Sequence, residues 1–257
     1  MAAPSLATVL RNLFVLLGCG IAATVIYTIA TDGLPFRKQL LTPWMAATLV
    51  DFYINILVIG AWIVYKESNW IRTIIWIVLL VCLGSITTCG YIVLQFFKLT
   101  PQESLQDPIY FVLLRTRKND CLSTLRDGTD SKGKLSVVGA RVLFSVLGCL
   151  MLGTLIYSIA IDGSPFRQEV FTPWLSATLV DFYVNVFALL VWVAYKESNW
   201  RSAAIWIILF ISLGSVTTCS YIVLQLFHLS PQDPVFLIVF SSSNRAENGF
   251  EGSLQAQ

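Results

Sequence analysis

The chain contains one segment twice, and this duplication constrains its fold more than any other feature. Residues 11–100 and 141–230 align without a gap, and 51 of the 90 aligned positions are identical. Whole phrases return: TPWMAATLVDFY at 42–53 becomes TPWLSATLVDFY at 172–183. A repeat of this kind predicts that one structural unit is built twice. A polar residue kept in both copies is therefore a stronger candidate for a role than one found in a single copy.

The composition predicts a membrane protein. Hydrophobic residues make up 56% of the chain and charged residues 12%, whereas a soluble domain carries about 25% charge. We therefore predict an all-α integral membrane protein whose main partner is the lipid bilayer. The chain has one histidine and no Cys-x-x-Cys spacing, which argues against a histidine-rich metal centre. It also lacks the common catalytic motifs, so we predict no enzymatic activity, no cofactor and no nucleic-acid partner.

Each copy contains three apolar stretches of helical length. A helix needs about 20 residues to cross a hydrocarbon core of ~30 Å, and all six stretches reach that length. The predicted spans are 12–31, 43–65, 71–97, 142–161, 173–195 and 201–227. They define a first membrane repeat (1–100), a polar linker (101–140), a second membrane repeat (141–230) and a polar tail (231–257). Two apolar runs too short to span, 108–114 and 234–240, follow the two copies and are expected at the interface or under a loop.

The odd number of spans per copy predicts an inverted repeat. If the linker does not cross, the second copy enters the membrane from the opposite face, and the halves are related by an axis in the membrane plane. The excess of Lys and Arg in the linker predicts that the linker is cytosolic and that both termini lie on the other side. The endomembrane system or the plasma membrane is the expected location.

Polar side chains form one seam along the second and third spans of each copy. At 100° per residue the members of each seam share a helix face, and such faces are expected to meet one another because unsatisfied polar groups are costly in hydrocarbon. Gly84 and Thr88, with Gly214 and Thr218, have a small-xxx-small spacing that predicts close helix packing. The candidate site residues on the seams are Thr48, Asp51, Asn55, Tyr91, Thr178, Asp181, Asn185 and Tyr221.

The two acids are the most specific of these candidates. Asp51 and Asp181 each lie eight residues after a proline, about 12 Å into the membrane. Inverted copies would bring them from opposite faces to within ~6 Å of each other along the membrane normal. Acids inside a membrane commonly mark ion or proton sites. The alternative is that each acid is protonated and hydrogen-bonds neighbouring helices as structural glue.

The phrases TPW…TLVDFY, YKESNW and LGS.TTC.YI..Q.F, in tandem, resemble a family of plant membrane proteins. That family is classed as a domain of unknown function, number fourteen seventy-five. The resemblance covers 11–240 and implies a plant source and a multi-pass membrane protein. It implies no activity, cofactor or site residue.

Two functions from different classes follow. The first is a small transporter or channel for a small solute or a cation, with a midplane site at the repeat interface. The alternative is a non-catalytic structural or assembly factor that binds other membrane proteins through the linker and the short apolar runs. A cavity joining the two acids would favour the first, and tightly packed halves would favour the second.

Overall fold

The computed structural model describes residues 5–35, 37–114, 137–165, 167, 170–197, 199–230 and 235. The predicted all-α fold is confirmed for these residues. The first copy contains α1 (Leu6–Asp32), α2 (Pro43–Lys66), α3 (Trp70–Leu83) and α4 (Ser85–Phe97), followed by the short helices α5 (Pro101–Gln106) and α6 (Pro108–Leu114). The second copy contains α7 (Val137–Asp162), α8 (Pro173–Lys196), α9 (Trp200–Leu213) and α10 (Ser215–Phe227).

Four helices, two in each copy, are long and apolar enough to cross a membrane. These are α1, α2, α7 and α8, with 24 to 27 residues each. The starts of α2 and α8 are strongly specified. Thr42 and Thr172 each accept a hydrogen bond from a first-turn N–H, and a proline with a helix-compatible φ follows directly. The sequence therefore predicts these four spans correctly.

The third predicted span of each copy is not one helix, so the prediction of six spanning helices is wrong. The stretch 71–97 divides at Gly84 into α3 and α4, and 201–227 divides at Gly214 into α9 and α10. Gly84 has φ 55° and Gly214 has φ 54°, a left-handed conformation that favours glycine. Each half-helix has 13 or 14 residues, or about 20 Å, which is too short to span.

The two halves of this stretch fold back on each other as a helical hairpin. The Thr87 hydroxyl donates to the Leu79 carbonyl at 2.9 Å, across eight residues that a straight helix would hold about 12 Å apart. The rings of Trp76 and Tyr91 lie 5.0 Å apart. The second copy repeats both contacts, with 2.9 Å for Thr217 to Leu209 and 4.9 Å for Trp206 to Tyr221. Each copy thus consists of two long helices and one re-entrant hairpin.

The two repeats run parallel, so the predicted inverted topology is wrong. The Ser158 hydroxyl, at the end of α7, donates to the Pro43 carbonyl at the start of α2 (3.1 Å). The Trp174 indole, at the start of α8, donates to the Gly33 carbonyl just after α1 (3.1 Å). Trp44 and Trp174 share one buried cluster. The physical reason is parity: with the third stretch folded back, each copy crosses an even number of times, and both copies start on the same face.

Both hairpins open on the face opposite to these contacts, which we call the mouth face. It carries the starts of α1 and α7 and the ends of α4 and α10. Arg11 stacks over Phe97 at 5.0 Å, and Arg141 stacks over Phe227 at 4.9 Å. The other face, which we call the loop face, carries the α1–α2 and α7–α8 connections. The expectation that the N-terminus lies opposite the linker is therefore wrong, because α1 begins on the face where α4 ends.

The first short apolar run, 108–114, forms α6 and packs against the end of α2. The Trp62 indole donates to the Leu113 carbonyl at 3.1 Å, and the Lys66 ammonium donates to the Phe111 carbonyl at 3.3 Å and to the Val112 carbonyl. The remainder of the predicted linker, 115–136, lies outside the described residues. The second run, 234–240, also lies outside them except for Val235, which packs against the main core.

Candidate functional site

The tip of each hairpin meets the acid of the other repeat. The backbone N–H of Ser215, the first residue of α10, donates to Asp51 Oδ1 at 2.6 Å. The backbone N–H of Ser85, the first residue of α4, donates to Asp181 Oδ1 at 2.8 Å, and the Ser85 hydroxyl donates to the same oxygen. The acid of each repeat therefore binds the hairpin of the other repeat across their interface.

Each carboxylate acts as the N-cap of a half-helix. The first N–H groups of a helix have no partner inside the helix, and Gly84 and Gly214 occupy the N-cap positions without a side chain that could serve them. A carboxylate from a neighbouring helix satisfies the donor and lies at the positive end of the helix dipole. In a low-dielectric interior such a charge-assisted hydrogen bond is stronger than one between neutral groups.

The glycines at the tips leave room for the acids. A Cβ on Gly84 would lie 2.5 Å from Asp181 Oδ2 and 2.7 Å from Phe52 Cζ, and one on Gly214 would lie 2.9 Å from Phe182 Cζ. These separations are far below van der Waals contact. The predicted role of Gly84 and Gly214 in close helix packing thus missed their main role, which is to form the turn and leave space for the carboxylate.

One turn further along α2 and α8, the side-chain amides of two asparagines join these helices to α10 and α4. The Thr218 hydroxyl donates to Asn55 Oδ1 at 2.9 Å, and the Thr88 hydroxyl donates to Asn185 Oδ1 at 2.7 Å. Both asparagines are 0% exposed. Their Nδ2 groups have no hydrogen-bond partner among the described residues. Two buried amide donors are therefore available to a small acceptor, at a depth where an unpaired donor is costly.

The predicted tyrosines, Tyr91 and Tyr221, have hydroxyls that lie nearer the mouth face than the acids and the asparagines do. The Tyr91 hydroxyl donates to Glu67 at 3.1 Å, and the Tyr221 hydroxyl donates to Glu197 at 2.8 Å. Glu67 and Glu197 directly follow α2 and α8 at the mouth face. The hydroxyls of Tyr91 and Tyr221 therefore bond to glutamates at the far end of each hairpin and not to the acids.

The predicted threonines of α2 and α8 do not take part either. The Thr48 hydroxyl donates to the Trp44 carbonyl at 2.9 Å, and the Thr178 hydroxyl donates to the Trp174 carbonyl at 2.8 Å. Both bonds lie within one helix, where a threonine hydroxyl readily bonds to the carbonyl four residues earlier. These two predicted site residues are therefore satisfied locally.

The expected pairing of the two acids depended on the inverted topology. Asp51 and Asp181 instead bind different hairpins. Asp51 accepts from the Ser215 N–H, and Asp181 accepts from the Ser85 N–H. The four predicted residues that the structure joins across the repeats are Asp51, Asn55, Asp181 and Asn185. Sequence reasoning missed Ser85 and Ser215, although the phrase Leu-Gly-Ser recurs at both positions and was a usable signal for a helix break.

These features define the class: a helical membrane protein made of two tandem repeats, each with two long helices and one re-entrant hairpin. The chain belongs to the family described as "Protein of unknown function (DUF1475)", whose model matches residues 2–121 and again residues 117–246. The predicted family is thereby confirmed, with one match per copy, and the plant source stays a prediction. No curated protein matches the chain, and no solved structure matches it.

Proposed function

We propose that the protein is a transporter or channel for a small polar solute, with the path running along the two hairpin tips. The observation that carries the proposal is the pair of fully buried Asn55 and Asn185 amide donors, one turn from the Asp51 and Asp181 caps, that lack partners among the described residues. A solute that accepts hydrogen bonds would satisfy these donors.

The re-entrant hairpins support this proposal. Non-helical backbone at membrane depth is tolerated where it is buried in protein or lines a water-filled cavity. Broken helices whose N-termini end inside the membrane build the substrate sites of many transporters. The turns at Gly84 and Gly214 have this form. The carboxylates at both tips disfavour an anionic solute, so the proposed substrate is a small neutral solute such as a polyol or an amide, with a cation as the second choice.

The distribution of basic residues supports a cytosolic mouth face. Cytosolic ends of membrane helices carry an excess of Lys and Arg. Of the basic residues in the described segments, seven lie at the mouth face and three at the loop face. Those at the mouth face are Arg11, Lys66, Arg72, Lys98, Arg141, Lys196 and Arg201, and those at the loop face are Arg37, Lys38 and Arg167.

Flux measurements in proteoliposomes test the proposal. We expect the full chain to accelerate glycerol or urea entry, followed by stopped-flow light scattering, and we expect the double substitution Asn55→Leu and Asn185→Leu to lower that flux at least about tenfold. Thr48→Val with Thr178→Val is the matched control, because those hydroxyls bond within their own helices, and its flux stays at the wild-type level. Proton and potassium flux with an enclosed pH dye tests the cation alternative.

A structural or assembly role is the second candidate. It is favoured by the acids, which cap different hairpins instead of meeting each other, so that their contacts join the two repeats as glue between helices. On this alternative the wild-type protein gives no more flux than empty liposomes for glycerol, urea, protons or potassium. It would then co-purify with a stoichiometric membrane partner after mild solubilisation. Flux that depends on Asn55 and Asn185 would reject this alternative.

A further inference from the structure

A cavity of 190 Å³ opens at the mouth face of the first repeat. It lies between the start of α1, the end of α4 and the start of α5. Its lining includes Thr8, Arg11, Phe97, Thr100 and Ser104. The cavity is smaller than the ~300 Å³ at which pockets for drug-sized molecules begin. It therefore suits one small polar group better than a whole organic ligand.

Arg11 and Arg141 are equivalent residues of the two repeats, but they differ in their hydrogen bonds. Arg141 of the second repeat donates to the Leu226 carbonyl at 2.9 Å and to the Leu229 carbonyl at 2.8 Å. Arg11 is its equivalent in the first repeat and likewise stacks on a phenylalanine, at 5.0 Å. Within the described part of the chain, however, Arg11 has no hydrogen bond or ion pair. Its planar set of donors remains available at the cavity wall.

A hydroxyl donor lies on the same wall. Thr100 Oγ1 accepts a hydrogen bond from the Glu103 N–H at 3.4 Å, which leaves the hydroxyl proton free to donate. The Glu103 carboxylate accepts from the Thr100 N–H at 2.8 Å and is not part of the cavity lining. A guanidinium fork and a hydroxyl, with no carboxylate among the described lining residues, form a suitable set of donors for a phosphate group.

We propose that this cavity binds a phosphate group, and that the group belongs to the headgroup of an anionic phospholipid. Arg11 lies in the second turn of α1, where the apolar run begins, and its neighbour Phe97 is 63% exposed at the outer surface. Basic residues concentrate on the mouth face, and such a surface attracts anionic lipids. The proposal does not depend on the transport function, because the cavity lies at the opposite end of the hairpin from Asp51 and Asp181.

Lipid binding to the delipidated full chain, followed by native mass spectrometry, tests the proposal. We expect dioleoylphosphatidylglycerol to bind and dioleoylglycerol, which has the same acyl chains without phosphate, to bind much more weakly. Arg11→Gln lowers the affinity for dioleoylphosphatidylglycerol about tenfold, the loss expected for charge-assisted hydrogen bonds. Arg11→Lys keeps the charge without the fork and loses less. Arg141→Gln is the control: it lowers thermal stability and leaves this lipid binding intact.

Two further outcomes decide the source of the phosphate. If glycerol 1-phosphate or inorganic phosphate raises the melting temperature of the wild type in detergent and not that of Arg11→Gln, the site takes a soluble phosphate, and the lipid assignment is overturned. If only the lipid stabilises the wild type, the lipid assignment stands. Equal affinity of the wild type and Arg11→Gln for dioleoylphosphatidylglycerol would overturn the site as a whole.

Discussion

Asp51 and Ser215 are 164 residues apart in the chain, yet the Ser215 N–H donates to Asp51 Oδ1 at 2.6 Å. The reciprocal contact between Asp181 and Ser85 spans 96 residues. Each repeat therefore supplies the N-cap that the other repeat's half-helix lacks. This exchange makes the two hairpin tips and the long helices α2 and α8 one interdependent unit.

Removing either carboxylate should destabilise the protein. Asp51→Ala leaves the buried Ser215 N–H without its acceptor, which costs about 1–3 kcal/mol, and the favourable interaction with the helix dipole is also lost. We expect a lower melting temperature in detergent for Asp51→Ala and for Asp181→Ala. Asp51→Asn keeps a side-chain oxygen and should lose less. An unchanged melting temperature for both alanine variants would contradict the capping role.

Glycine at the hairpin tip should be irreplaceable, whereas glycine elsewhere in the same hairpin should not. Gly84→Ala places a methyl group against Asp181 and Phe52 in a conformation that L-residues rarely adopt. We expect aggregation or a large fall in melting temperature. Gly90→Ala is the matched control within α4, because a Cβ there meets nothing within 4 Å. It should be neutral or stabilising by up to about 1 kcal/mol. Fluorescence-detected size-exclusion chromatography after heating measures both effects.

The parallel arrangement predicts a specific pattern of labelling. Leu41 and Phe171 occupy equivalent positions in the two loop-face connections, and both are exposed. In a chain freed of its native cysteines, Leu41→Cys and Phe171→Cys should react with a membrane-impermeant maleimide from the same side of sealed vesicles. Gln102→Cys, at the mouth face, should react from the other side. Reaction of the Leu41 and Phe171 variants from opposite sides would contradict the parallel arrangement and support the inverted topology.

Lys66 should hold α6 in place. Its ammonium donates to the Phe111 and Val112 carbonyls near the end of that helix, so Lys66→Met removes a charged anchor worth about 1.5–3 kcal/mol. We expect faster amide hydrogen exchange over 108–114 in this variant, measured by mass spectrometry. Arg72→Met, at an exposed position of α3, is the control and should leave that exchange unchanged. Equal exchange in both variants would show that the Trp62 hydrogen bond and the apolar side chains hold α6 without Lys66.

The sequence predicts the four long helices because their apolar runs and their length agree, and because two of them, α2 and α8, also begin at Thr-Pro. It does not predict the hairpins, because a single glycine inside an apolar run costs a helix only about 1 kcal/mol and does not by itself end it. Reading 71–97 as one span changed the number of crossings per copy from even to odd. That single error led to the inverted topology, to the wrong side for the N-terminus and to the expected meeting of the two acids.

The residues of the site were more predictable than their partners. Asp51 and Asn55 recur unchanged as Asp181 and Asn185, and their shared helix face correctly indicated a contact between helices. The spacing in sequence could not show that the contacts run between repeats. Asp51 and Ser85 are the same distance apart in sequence as Asp181 and Ser215. The pattern is therefore the same whether an acid caps the hairpin of its own copy or that of the other copy. Only the packing of α2 against α10 distinguishes them.

The exchanged caps also bear on how such a chain is made and how it arose. While the ribosome is still synthesising the second copy, Asp181, which accepts from Ser85 in the folded protein, has not yet been made, so the first hairpin cannot reach its final state until Asp181 has entered the membrane. By the same logic, an ancestral gene with a single copy would have encoded a subunit without the cap that the other repeat now supplies. Two such subunits, side by side in the same orientation, would have completed each other, and gene fusion would then have made a permanent pair of them.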